Sequence, residues 1–229
     1  MDEHTWLTSP SGIGLLSMWR KLLPRETVTG GWVVRTPERK HRLFAVAVFR
    51  KLEHLFKHDW HRFALDATEE AAEHPIRETS VVRAVMELHR ELGEPAHPDN
   101  PMIDLAVIQT VRPHELWEAL EGELVTVGRA LAGAWGNRKP PVPSDADLLR
   151  CIVGNPFRSV AFEPAWRSET VVALAAGVYA ERAFDRLPIL ADALEEAGCD
   201  NADVLAHCRD PHQPHARGCW VVDLVLNKS

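Results

Sequence analysis

Five side chains that commonly bind transition metals lie within 21 residues near the C-terminus. They are Cys199, Cys208, His212, His215 and Cys219, spaced Cys-x8-Cys-x3-His-x2-His-x3-Cys. Zinc in proteins is bound by tetrahedral sets of four thiolates and imidazoles. The spacing lacks the paired Cys-x2-Cys of common zinc modules, so buried free cysteines beside loop histidines are the alternative interpretation. We predict a zinc site formed by Cys199, Cys208, His215 and Cys219.

Such a site favours a structural role over a catalytic one. Four protein ligands complete the coordination of zinc, whereas catalytic zinc keeps one position for water. The sequence contains no glycine-rich phosphate loop followed by lysine, no Gly-x-Ser-x-Gly and no His-Glu-x-x-His. The remaining cysteine, Cys151, has no neighbouring base in sequence, although distant histidines could approach it in the fold. The sequence therefore indicates no catalytic residue.

A second histidine group is His54, His58 and His61, which stand at i, i+4 and i+7. On a continuous helix they would share one face and could bind a transition metal. The expected interpretation is a partly exposed histidine face.

The N-terminal part of the chain is basic, whereas the rest is acidic. Residues 1–62 carry 11 Lys and Arg against 6 Asp and Glu, and the whole chain has a net charge of −7. Basic side chains with interleaved Trp could bind the phosphates and bases of a nucleic acid. No helix-turn-helix, zinc-finger or sheet-based RNA-binding signature accompanies them. The candidate nucleic-acid-binding residues are Arg35, Arg39, Lys40 and Arg42.

The elements that must position these residues are predicted to be helices. Apolar residues recur at helical spacing through most of the chain, whereas Gly30-Gly31 followed by Trp32–Thr36 predicts a short strand. Gly198 is placed to end one helix, and Asp200 or Asn201 to begin the next. The predicted helices span about 13–23, 38–56, 60–73, 77–92, 114–134, 145–153, 168–183, 188–198, 201–208 and 217–226.

The fold class is therefore an all-α multi-helix bundle with a short extended arm or hairpin near residues 29–36. We expect one helical domain over residues 1–229. The proline-rich connector 137–144 leaves two subdomains, 1–140 and 145–229, as the alternative.

Composition places the chain among globular proteins. Hydrophobic residues make up 45% and charged residues 26%, which is typical of a chain with a sizeable core. No stretch approaches the ~20 apolar residues of a membrane span. The first residues are acidic and polar, unlike a signal peptide. We expect a cytoplasmic location, no membrane partner and reduced cysteines.

Four C-terminal segments resemble the closing block of an uncharacterised bacterial family. An N-terminal segment, Arg42–Ala45 with Arg50 and His54, is similar to the first helix of that family. The resemblance implies a helical fold and no particular activity. The Leu190–Arg209 segment also faintly resembles the repeat-companion domain. The four segments are Gly154–Arg158, Phe184–Cys199, His207–Arg209 and Arg217–Asp223.

The expected function is that of a non-catalytic helical interaction or scaffold module, such as an accessory subunit that binds another protein. Apolar helices, uneven charge and the lack of a catalytic motif favour this function. One alternative is a zinc-dependent enzyme, which would need an open metal site in a pocket. Another is a nucleic-acid-binding accessory protein that uses the basic N-terminal region.

Overall fold

The structure, a computed structural model, describes residues 2–23, 25–28, 31–34, 38–51, 53, 59–73 and 145–228. The described residues are mainly helical, which confirms the all-α prediction. The helices predicted over 77–92 and 114–134 and the connector 137–144 lie outside the described residues.

The helix bounds follow local sequence signals closely. The 38–56 prediction is met by a helix that ends at Arg50, and residues 54–58 are outside the described part. In chain order the elements are α1 Glu3–Thr8, α2 Gly12–Leu22, β1 Arg25–Val28, β2 Gly31–Val34, α3 Glu38–Arg50, α4 Asp59–Glu73, α5 Asp145–Val153, α6 Glu169–Glu181, α7 Leu187–Glu196, α8 Ala202–Arg209 and α9 Trp220–Leu226, with short 3-10 turns at Pro164–Trp166 and Phe184–Arg186.

The predicted hairpin is present and begins earlier than expected. Strands β1 and β2 pair antiparallel, with Arg25 opposite Val34 and Val28 opposite Gly31. The strand expected at Trp32–Thr36 is therefore the second strand, and the first precedes the Gly30-Gly31 signal.

The chain divides into two compact units. One contains residues 24–145, and the other combines residues 1–23 with residues 146–229. Residues 1–23 are thus grouped with residues 146–229 and not with the residues that follow them in sequence. Helix α1 has no counterpart among the predicted helices, and Asp2 caps it by accepting a hydrogen bond from the Thr5 amide at 2.8 Å.

The core of the C-terminal unit is formed by one apolar face from each of helices α5 to α9. Ser168 and Asn201 cap α6 and α8 by accepting hydrogen bonds from Val171 N and Val204 N. Asn201 is thus the N-cap that the sequence left open between two residues. The fully buried aliphatic side chains of this core include Val171, Val178, Leu187, Leu190, Leu194, Val204, Val221, Val222 and Val225.

Helix α7 ends in a Schellman motif, as the position of Gly198 predicted. Gly198 has φ +90°. Its amide donates to Glu195 O at 2.9 Å, and the Cys199 amide donates to Leu194 O at 2.9 Å. These two bonds satisfy carbonyls that the helix itself leaves unpaired.

Two glycine substitutions should therefore shift stability in opposite directions. Gly198→Ala is expected to lower the free energy of unfolding by about 1–2 kcal/mol, because only glycine adopts this φ without strain. Gly177→Ala, inside α6 with open space around the added carbon, is expected to raise it by about 0.5–1 kcal/mol. Urea unfolding of the two variants measures both, and equal shifts would contradict the assignment.

In the other unit, helices α3 and α4 pack together. Every side chain of α3 from His41 to Phe49 is buried, as is typical of a helix that is apolar nearly all round. At the end of α3, Arg50 binds Glu53, Asp66 and Glu69 at 2.6 to 2.8 Å. Asp66 and Glu69 lie on α4, so this arginine joins the two helices.

Candidate metal centre

Four metal-binding side chains converge within the C-terminal unit. They are Cys151, His207, His215 and Cys219, and one ligand atom from each lies within 4.8 Å of all the others. The group could therefore hold a metal ion. Cys151 comes from the last turns of α5 and His207 from the last turn of α8. His215 lies in the loop that follows α8, and Cys219 is the N-cap of α9.

Two sulfur–nitrogen distances in the group are close to those between neighbouring ligands of a tetrahedral zinc site. Cys151 Sγ lies 3.6 Å from His215 Nδ1. His207 Nε2 lies 3.3 Å from Cys219 Sγ. Zinc bonds of about 2.3 Å to sulfur and 2.0–2.1 Å to nitrogen place neighbouring ligands of a tetrahedron about 3.3 to 3.8 Å apart. The two sulfur–nitrogen pairs are thus already at coordination spacing.

The loop between α8 and α9 is built to bring His215 and Cys219 to this place. The Gln213 side-chain amide donates to Asp147 O of α5 at 2.9 Å, which ties the loop to the helix that carries Cys151. Gly218, directly before Cys219, has φ +86°, a backbone conformation that residues other than glycine rarely adopt. The loop is therefore positioned by the hydrogen bond of Gln213 to α5 and by the backbone conformation of Gly218.

Aromatic rings border both imidazoles. The ring of His207 packs against Trp220, with centroids 5.3 Å apart. Phe184 stacks on His215 at 6.3 Å. The two histidine rings stand perpendicular, with centroids 5.0 Å apart. These contacts restrict the orientation of the imidazoles, which a metal site requires of its ligands.

The electrostatics of the group favour one thiolate. Burial opposes ionisation of Cys219, but a hydrogen bond with Cys151 and the charge and hydrogen bond of His207 outweigh it and lower the pKa of this thiol. Burial raises the pKa of Cys151, and its hydrogen bond to the Cys219 sulfur raises that pKa further. The surroundings thus already stabilise negative charge on one of the two sulfurs.

The structure brings together two of the four ligands predicted from sequence and adds two others. His215 and Cys219 belong to the group, whereas Cys199 and Cys208 are buried in the core outside it. Successive residues of a helix point about 100° apart, so His207 and not its neighbour Cys208 faces Cys219. Cys199 is held in the turn that ends α7.

The two ligands that were not predicted, His207 and Cys151, differ in how much signal the sequence carries for them. His207 precedes Cys208 within the C-terminal Cys/His segment, so its residue type and position were visible in the sequence, whereas the face of α8 on which it lies was not. Cys151 lies 56 positions before His207 and carries no local signal. The fifth candidate, His212, is exposed and is not part of the group.

Of the second histidine group, only His61 lies within the described residues. His54 and His58 lie outside the described residues. His61 is buried, which differs from the partly exposed face that was expected.

The basic residues proposed for nucleic-acid binding are not an open surface where they are described. Arg42 is only 2% exposed. Arg39 Nε donates to Glu73 at 2.9 Å, and both side chains are largely buried. Lys40 is half-buried, and Arg35 lies outside the described residues. Helix α3 therefore buries the side chain of Arg42 and most of the side chain of Arg39 within the protein.

No family model, curated protein or solved structure matches the chain. Among the described residues, no helix combines the length and the apolar character that crossing a bilayer requires. The assignment of the centre therefore rests on its geometry: two buried thiols and two half-buried imidazoles that converge on one point.

Proposed function

We propose that the C-terminal unit is a non-catalytic helical interaction module that is organised by one structural zinc ion. Cys151, His207, His215 and Cys219 are the ligands. The observation that carries this proposal is the convergence, among the described residues, of four N and S donor atoms that lie within 4.8 Å of one another. Two thiolates and two imidazoles are a ligand set typical of structural zinc, which is tetrahedral.

The burial of the thiols supports a structural role. Cys151 and Cys219 are both 0% exposed. A catalytic zinc ion needs a coordination position for water and a path for substrate. Four protein ligands leave no such position, so the zinc-dependent enzyme is the less favoured alternative.

Exposed apolar side chains support an interaction role. Ile189 on α7 is 55% exposed and Val172 on α6 is 37% exposed. Leu7 and Leu22 on the N-terminal helices are also exposed. Apolar side chains presented on rigid helices suit a protein partner better than a nucleic acid. The inward-facing Arg39 and Arg42 likewise argue against a nucleic-acid partner.

Metal content tests the zinc site. The purified, tag-free protein is expected to contain about one zinc per chain by elemental mass spectrometry, as one tetrahedral site implies. Cys151→Ser and His207→Ala should each reduce that content to background or weaken binding by at least about 10-fold.

Cys199→Ser and Cys208→Ser are the matched controls. Both cysteines are as deeply buried as the ligands but lie outside the group, so these variants should keep their zinc. Zinc that persists in Cys151→Ser but disappears in Cys199→Ser would contradict the proposed ligand set. A metal-free wild-type protein would refute the proposal.

A further inference from the structure

Helix α1 is held against the end of α5 by residues on both sides of Cys151. Trp6 of α1 is fully buried, and its indole Nε1 donates to Gly154 O at 3.1 Å. In return, Arg150 Nε donates to Trp6 O at 2.9 Å, and the same guanidinium donates to Ser9 O. Arg150 and Gly154, which hold α1 in this way, both lie within three positions of Cys151 in sequence.

The turn after α5 holds the first residues of α1 as well. Asn155 Nδ2 donates to Glu3 Oε1 at 2.7 Å, and Arg158 forms an ion pair with the same carboxylate. Asn155 Oδ1 accepts from the Phe157 amide at 3.0 Å, which fixes the turn that the Asn-Pro sequence predicts. This turn therefore presents its side chains to the start of α1 in a fixed conformation.

The same turn also packs against Trp220, which lies beside the metal centre. Gly154 has φ +75°, and a carbon added to it would lie 3.1 Å from Cγ of Trp220. Trp220 follows Cys219 directly and packs against the ring of His207. One path of contacts therefore runs from Trp6 through Gly154 and Trp220 to the ligands.

We infer that metal binding is coupled to the docking of α1 against the end of α5, so that the bound metal strengthens this docking. This inference rests on the proposed zinc site. A metal ion joining Cys151 to Cys219 fixes the end of α5 relative to the start of α9. That in turn fixes the Gly154 carbonyl that accepts from Trp6. Without the metal, these two segments lose their cross-link and α1 is held less firmly.

Thermodynamic reciprocity gives the inference a second, independent consequence. If the metal strengthens the docking of α1, then docked α1 must strengthen metal binding by the same factor. Trp6→Phe removes the indole donor while keeping an aromatic ring. This variant is expected to bind zinc about 5-fold more weakly or worse, the lower end of typical coupling. Leu7→Ala, on the same helix at a 50% exposed position, should bind zinc like the wild type.

The experiment combines hydrogen exchange of the full chain with zinc competition against a chromogenic chelator. Removal of zinc should accelerate amide exchange in residues 3–9 by about 10-fold or more, a larger change than in α4 of the other unit. Two results together would overturn the coupling while leaving the zinc site intact. They are amide exchange rates in residues 3–9 that do not change with zinc, and equal zinc affinities of Trp6→Phe and Leu7→Ala in a protein that does bind zinc. A protein that binds no zinc would overturn both proposals. If the whole C-terminal unit opens without zinc, the affinity comparison decides.

Discussion

Removal of zinc by a chelator is expected to lower the free energy of unfolding of the C-terminal unit by at least about 4 kcal/mol. A ligand that binds only the folded state stabilises it by about 4.1 kcal/mol when its free concentration is a thousand times its dissociation constant. Structural zinc sites commonly exceed that value, because no preformed site exists in the unfolded chain. The proposed ion would join residues that stand 56 positions apart in sequence, Cys151 and His207.

Urea unfolding at buffered free zinc, followed by tryptophan fluorescence, measures this effect. Four of the eight tryptophans, Trp6, Trp19, Trp166 and Trp220, lie in the C-terminal unit, so the zinc-dependent part of the fluorescence change reports on this unit. The midpoint should rise with zinc in the wild type and in Cys199→Ser. It should not respond in Cys151→Ser or His207→Ala. A wild-type midpoint that is the same with zinc and with chelator would contradict a structural role for the metal.

The second large effect is expected at Arg50 in the other unit. Arg50→Ala should lower the free energy of unfolding by about 3 kcal/mol, because breaking a buried ion pair by removing one partner is costly. The side chain of Glu69 is only 4% exposed, so this carboxylate would lose a cation that water cannot replace. Burial alone would lower the pKa of Arg50, but Asp66, Glu69 and Glu53 together raise it, which shows how strongly the site favours the charge.

The matched control is Arg62→Ala on helix α4. Arg62 pairs with Asp59 at 3.4 Å, and both side chains are exposed. Pairs of this kind contribute about 0–1 kcal/mol. Thermal unfolding of the two variants compares them directly. Similar losses for Arg50→Ala and Arg62→Ala would show that the ion pair of Arg50 with the buried Glu69 adds nothing beyond a surface ion pair.

Local signals in the sequence determined the helices of the described part. Ser168 and Asn201 cap helices through side-chain oxygens, and Gly198 ends one through its positive φ. These are interactions between residues at most a few positions apart, so the sequence displays them directly. The apolar run of α3 likewise predicted a buried central helix, and this helix is buried. Helix α1 was not predicted, because its six residues carry little periodicity and its stability comes from the burial of Trp6.

The sequence also predicted a Cys/His metal site near the C-terminus, and two of its predicted ligands, His215 and Cys219, belong to the group that the structure brings together. Only the tertiary structure decided the other two. Helical phase separates His207 from Cys208, and it turns on which face of α8 packs into the core. Cys151 enters through the packing of α5 against the loop before α9, a contact between residues far apart in sequence. Residue types and spacing reveal which side chains could bind a metal, but long-range packing selects the four that meet.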